Sequence, residues 1–146
     1  MRIKSIPLGD EIGELCYTED FDEVGKLEGV RIIEVRDNER DRANRFDCVN
    51  WAFEGDKNAV RDFVVNPLFP RDYREVIEPH KGDFVAYYDV VRGLAPVHCA
   101  IFAREGRVWS KFAHSHIYEH PLDAVSYSDD SEVRFFRRIN YLWNYP

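Results

Sequence analysis

The sequence predicts an α+β protein in which N-terminal helices pack on a five-to-six-stranded antiparallel sheet. Three observations predict it. Two stretches in the first half, near 47–54 and 57–66, carry apolar residues at helical spacing. The second half turns to β-branched and aromatic runs broken by glycine and charged turns. Helices that precede a run of sequential strands make an α+β pattern. The 146 residues, 45% of them hydrophobic and 14% aromatic, suffice for one core.

The elements follow in order. Residues 1–29 mix glycine, acids and short apolar groups, and read as an extension with one strand near Met1–Pro7. Gly29 to Val35 is β-branched and partly alternating, so it reads as a strand. Arg36 to Arg45 is almost wholly charged or polar and reads as a solvated loop. Asp47 is a good N-cap and Gly55 a stop, which bounds a helix near 47–54. Val60, Phe63 and Val64 fall at i, i+3, i+4 within a second helix over 57–66, ended by Pro67. Pro70 fits the first position of a third helix over 70–77.

Pro79 to Asp83 reads as a turn, and Phe84 to Val91 and Val97 to Ala103 as strands. Arg104-Glu105-Gly106 makes a hairpin loop into a strand over 107–113. Pro121 to Tyr127 suggests a helical turn, and Val133 to Ile139 a last strand. The whole is one domain over 1–146, with a core over 30–139. An aromatic tail over 140–146 packs back on the body or offers a surface for self-association.

Charge and cysteine usage exclude several function classes. A net charge of −7 argues against non-specific nucleic-acid binding and against docking on anionic membranes. Cys16, Cys48 and Cys99 are an odd set without regular spacing, unlike a disulfide framework or a zinc ribbon. The N-terminus lacks an apolar core of signal-peptide length, so a reducing cytoplasmic setting is expected.

The chemistry centres on Cys48. It stands at the start of a predicted helix, where the dipole and backbone N–H groups favour a thiolate. His98, 50 residues later at the head of a strand, is the candidate base. The third residue depends on the hairpin. A three-residue loop with a glycine bulge pairs Ala103 with Arg107 and puts His98, Ala100 and Phe102 on one face with Val108 and Ser110. A two-residue loop flips the register and brings Lys111 to that face instead. Ser110 is preferred, because lysine is a poor partner for an imidazolium. Cys99 points away from His98 by alternation.

These residues resemble a known family. Asp47-Cys48 opening a helix, Gly82-Asp83-Phe84-Val85 starting a strand, then His98-Cys99-Ala100-Ile101-Phe102 and Glu105-Gly106-Arg107-Val108, look like the NlpC-type papain-like cysteine peptidases. The resemblance spans roughly residues 44–139. Cys48-x-x-Trp51-Ala52 with Trp109-Ser110-Lys111 and His120 is closer to an uncharacterised branch of that superfamily. The resemblance implies a papain-like core and peptide or peptidoglycan-stem substrates.

The expected function is a cysteine hydrolase or acyltransferase on a peptide or small amide. Cys48 is the nucleophile, His98 the base and acid, and Ser110 the orienter, with no cofactor. A second reading is a non-catalytic binding module on the same fold. It is favoured by Val49-Asn50, which replace the family's Ser-Gly, and by a serine at the third position. A third is metal binding through His114, His116 and His120.

Overall fold

The computed structural model describes residues 2–4, 31–34, 48–53, 56–68, 70–111, 117–123 and 130–139. The predictions for Cys16, the 36–45 loop, the Asp47 cap, His114, His116 and the aromatic tail lie outside them.

The described residues form one antiparallel sheet with two short helices. In chain order they are β1 (Arg2–Lys4), β2 (Arg31–Glu34), α1 (Cys48–Ala52), α2 (Lys57–Val65), β3 (Tyr73–Val76) and β4 (Phe84–Asp89). β5 (Ala95–Arg104), β6 (Arg107–Lys111), β7 (Ile117–Pro121) and β8 (Asp130–Arg138) follow. The strand order is β1-β8-β4-β5-β6-β7-β2, with β3 also paired to β8. The α+β expectation, with N-terminal helices packed on five or six strands, is therefore corrected. The fold is mainly an antiparallel β-sheet, and among the described residues helix is one segment of five residues and one of nine.

The physical reason lies in two segments. Tyr73–Val76, expected as a third helix, is a strand, because each of its four residues pairs with a residue of β8. Pairing of this kind overrides a weak helical signal. Ile117–Pro121, which the sequence reading assigns to no element, pairs along its whole length with β6. Its first four residues are all buried, so it lacks the one-sided alternation that marks a strand.

α2 matches its expectation. The Asp56 carboxylate accepts from the backbone N–H groups of Asn58 and Ala59 at 3.1 and 3.2 Å, which caps the first turn. Phe63 is its buried anchor.

The sheet separates two apolar clusters. On one face Phe84, Ala86, Tyr88, Cys99 and Phe136 pack with Ala52, Phe53 and Phe63. Val49 and Trp51 also pack there, so α1 lies on this face. Phe53 stacks on Phe84 with ring centroids 4.4 Å apart. On the other face Val85, Tyr87, Ala100, Phe102, Val108, Val133 and Phe135 form the second cluster. β4 contributes to both, and each of its six residues is buried. A clamp holds the turn before β4. Asp83 accepts from Arg137 Nε at 3.1 Å and Nη2 at 2.8 Å, and from the backbone N–H of His80 at 2.7 Å.

Candidate functional site

Backbone register places the candidate site. Phe102 pairs with Val108 and Arg104 with Arg107, so Glu105-Gly106 is a two-residue turn and Ala103 is a bulge. Gly106 takes φ 71°, which only glycine adopts without strain. The expected three-residue loop is thus a shorter turn plus a bulged residue on the strand. The face assignment is the same, because the bulge restores the parity that the short turn alone would reverse. A second irregularity, between Tyr87 and Tyr88, leaves Val97 unpaired beside His98.

His98, Ser110 and His120 meet on the face opposite α1. Ser110 Oγ lies 3.1 Å from His98 Nε2 and 2.7 Å from His120 Nε2. His120 Nδ1 lies 2.8 Å from the carbonyl oxygen of Pro121. All three side chains are buried, with His98 at 3% exposure. Tyr87 stands beside His98 with ring centroids 5.7 Å apart, and its hydroxyl donates to the Leu122 carbonyl at 2.7 Å.

The hydrogen bonds have a direction. A carbonyl only accepts, so Nδ1 of His120 carries the proton. Burial first, and the neighbouring His98 second, push the His120 imidazole down to about 3, so its ring is neutral at ordinary pH. A neutral ring has one N–H, so His120 Nε2 accepts from the Ser110 hydroxyl. The Ser110 hydrogen is then committed, and its oxygen accepts from His98 Nε2–H. In its neutral form His98 therefore holds its lone pair on Nδ1. That is the protonation state a general base needs.

The structure thus brings His98 and Ser110 together and adds His120. Cys48, the third predicted residue, opens α1 and is half-buried. Val49, Trp51 and Ala52 of α1 pack on the sheet face of Cys99 and Ile101, opposite the face on which the register places His98 and Ser110. Cys48 and Cys99 are not in a disulfide. His120, the third member of the proposed metal cluster, has both ring nitrogens hydrogen-bonded within the fold. Among the described residues no group of three or more His, Cys, Asp or Glu side chains is placed to hold a metal.

Sequence reasoning missed His120 as a partner of Ser110. The signal was there. Tyr118 and His120 alternate with Ile117 and Glu119, and a strand over 117–121 would have placed His120 on the face of Ser110.

The α1 face carries a groove of about 440 Å³ lined by Trp51, Phe53, Ile101, Trp109 and Phe136 among others. At its margin Glu119 is buried within a ring of cations. Arg104 Nη2 and Arg107 Nε reach its Oε2 at 2.9 and 3.1 Å. Arg31 Nη2 lies 3.4 Å from Oε1, and the Trp109 indole N–H donates to Oε1 at 3.2 Å. Burial raises the Glu119 carboxyl. The Trp109 and Arg107 hydrogen bonds and the charges of Arg104 and Arg31 outweigh it and hold the group below the usual carboxylate range. A larger depression of about 750 Å³ beside α2, lined by Asp56, Arg61, Asp62 and Arg71, contains none of the predicted site residues.

No helix among the described residues is long and apolar enough to cross a membrane. Comparison with protein-family models, with curated proteins and with solved structures finds no match for this chain.

Proposed function

We propose that the protein is a cysteine hydrolase or acyltransferase acting on a peptide or small amide bond. Cys48 is the nucleophile, and Nδ1 of His98 takes its proton and returns it to the leaving amine. Ser110 fixes the His98 tautomer and ring orientation, as the third member of a nucleophile–base–orienter set does. The observation that carries this reading is the directed chain from Pro121 through His120 and Ser110 to His98. It assigns the proton of a neutral His98 to Nε2 and its lone pair to Nδ1, the arrangement a general base uses. The motif order that resembles the NlpC-type peptidases supports the same assignment. A reducing compartment such as the cytoplasm suits a protein with two thiols outside any disulfide.

Alkylation tests it. Iodoacetamide at neutral pH should modify Cys48 faster than Cys16 or Cys99, and His98→Ala should remove that advantage. Equal labelling of the three thiols in the wild-type protein would sink the enzyme reading.

One observation favours a second reading, a non-catalytic binding module. Val49, Trp51 and Ala52 of α1 pack on the sheet face opposite His98 and Ser110. On that reading Cys48 reacts like an ordinary thiol, and His98→Ala leaves its rate unchanged.

A further inference from the structure

The cations around Glu119 exceed what a buried carboxylate needs. Arg107 and the Trp109 indole already give it a charge-assisted and a neutral hydrogen bond. Arg31 and Arg104 add two more guanidiniums from two other strands, although both side chains are 63% exposed. Three like charges drawn to one carboxylate repel each other, and holding two long exposed side chains in place costs rotamer entropy. Lys81 adds a fourth cation, its Nζ 5.3 Å from the centroid of the Trp109 ring. Glu105, in the turn between Arg104 and Arg107, and Glu34, at the end of β2, are the other carboxylates on these elements, so among the described residues the four cations Arg31, Arg104, Arg107 and Lys81 outnumber the three acids. This local excess is set in a chain of net charge −7.

A second anion would relieve that repulsion. Each guanidinium presents several N–H donors in a planar fork suited to phosphate oxygens. Glu119 acts as the buried pin that aligns Arg31 and Arg104 from beneath, while their exposed sides face solvent. We propose that Arg31, Arg104 and Arg107, gathered on Glu119, form a binding site for the phosphate group of a small molecule. The site is independent of Cys48 and His98, and its fate does not decide the hydrolase reading. It borders the apolar groove through Trp109, which belongs to both.

The Trp109 indole N–H reports on the site, because it bonds the same carboxylate as the arginines. Inorganic phosphate is titrated into the full chain at constant ionic strength, with chloride as the balancing salt. The Trp109 indole resonance is followed in a nitrogen–proton NMR spectrum. A saturable shift with a midpoint on the order of 1 mM is expected for a few charge-assisted contacts at a solvent-facing site. Arg31→Gln and Arg104→Gln leave Arg107 and Trp109 to satisfy Glu119, so the fold should persist. Each should weaken binding about tenfold, the loss of one charge-assisted contact. Arg92→Gln, on the turn after β4, should bind phosphate as wild type does. A Trp109 signal that does not saturate by about 50 mM phosphate would overturn the proposal. So would equal affinity in wild type, Arg31→Gln and Arg104→Gln.

Discussion

Replacing Ser110 by alanine tests the buried hydrogen-bond chain most directly. The hydroxyl is fully buried and bridges two imidazole nitrogens at 3.1 and 2.7 Å. Ser110→Ala deletes one oxygen and leaves His98 Nε2–H and His120 Nε2 without the partner between them. Each buried polar group that loses its partner costs about 1–3 kcal/mol, so the pair should cost about 2–6 kcal/mol. That is a large fraction of the about 5–15 kcal/mol by which a domain is stable. Urea unfolding at pH 7.5, followed by circular dichroism, measures it. Nitrogen NMR of the two rings supplies an independent readout. The wild-type His98 should sit in the Nε2–H tautomer, and Ser110→Ala should release it toward a mixture. A stability change below about 0.5 kcal/mol, the range of an ordinary surface substitution, would refute the reasoning. An unchanged His98 tautomer would refute it as well.

Three further outcomes follow from the same geometry. His120 is held neutral in the fold with its value pushed down to about 3, against an unfolded value near 6.5. The unfolded chain therefore binds more protons below about pH 6.5, and folding stability falls as pH drops from there toward 3. At pH 4.5 the loss from this group should be about 3 kcal/mol relative to pH 7, and His120→Gln should flatten the urea-midpoint slope by that amount. Equal slopes in the two proteins would contradict the buried neutral imidazole. Arg137→Met strips Asp83 of its two guanidinium bonds and should lower the urea midpoint, since the Asp83 carboxylate it leaves behind is buried. Adding Asp83→Asn should recover part of that loss in a double-mutant cycle. Phe53→Ala removes the ring stacked on Phe84 and edge-on to Tyr73. It should cost about 3–5 kcal/mol, read as a lower thermal midpoint.

Much of the hairpin was legible in the sequence. Period-2 alternation paired His98 with the face of Ser110 and turned Cys99 away, and both hold. The helix of α2 and its anchor Phe63 were legible from i, i+3 spacing, whereas its Asp56 cap was not read from the sequence and Val64 of the same stripe is exposed. The fold class was not. β4 and most of β7 are buried on both faces, so neither shows the one-sided pattern of a half-exposed strand. Tyr73–Val76 follows a proline and two charged residues that fit a helix start, and only its long-range pairing with β8 makes it a strand. The site was half legible. His98 and Ser110 lie on neighbouring strands, within reach of a local argument. His120 needed the β6–β7 pairing, at which only the short alternation of Tyr118 and His120 with Ile117 and Glu119 hinted.

One bulged residue decides what His98 faces. With Glu105-Gly106 as a two-residue turn and no bulge, alternation would turn Lys111 toward His98 and Ser110 away. The chemistry would differ in kind. An ammonium only donates, so it would force the His98 nitrogen it met to accept. The proton of a neutral His98 would then sit on the opposite nitrogen, which could no longer take one. A hydroxyl both donates and accepts, so it can pass on the direction that the Pro121 carbonyl imposes on His120. It also adds no charge to a buried cluster, where a cation beside His98 would disfavour the imidazolium that a general base must become. By leaving Ala103 out of the ladder, the β5–β6 pair decides from five residues away that His98 Nε2 meets a hydroxyl and not an ammonium.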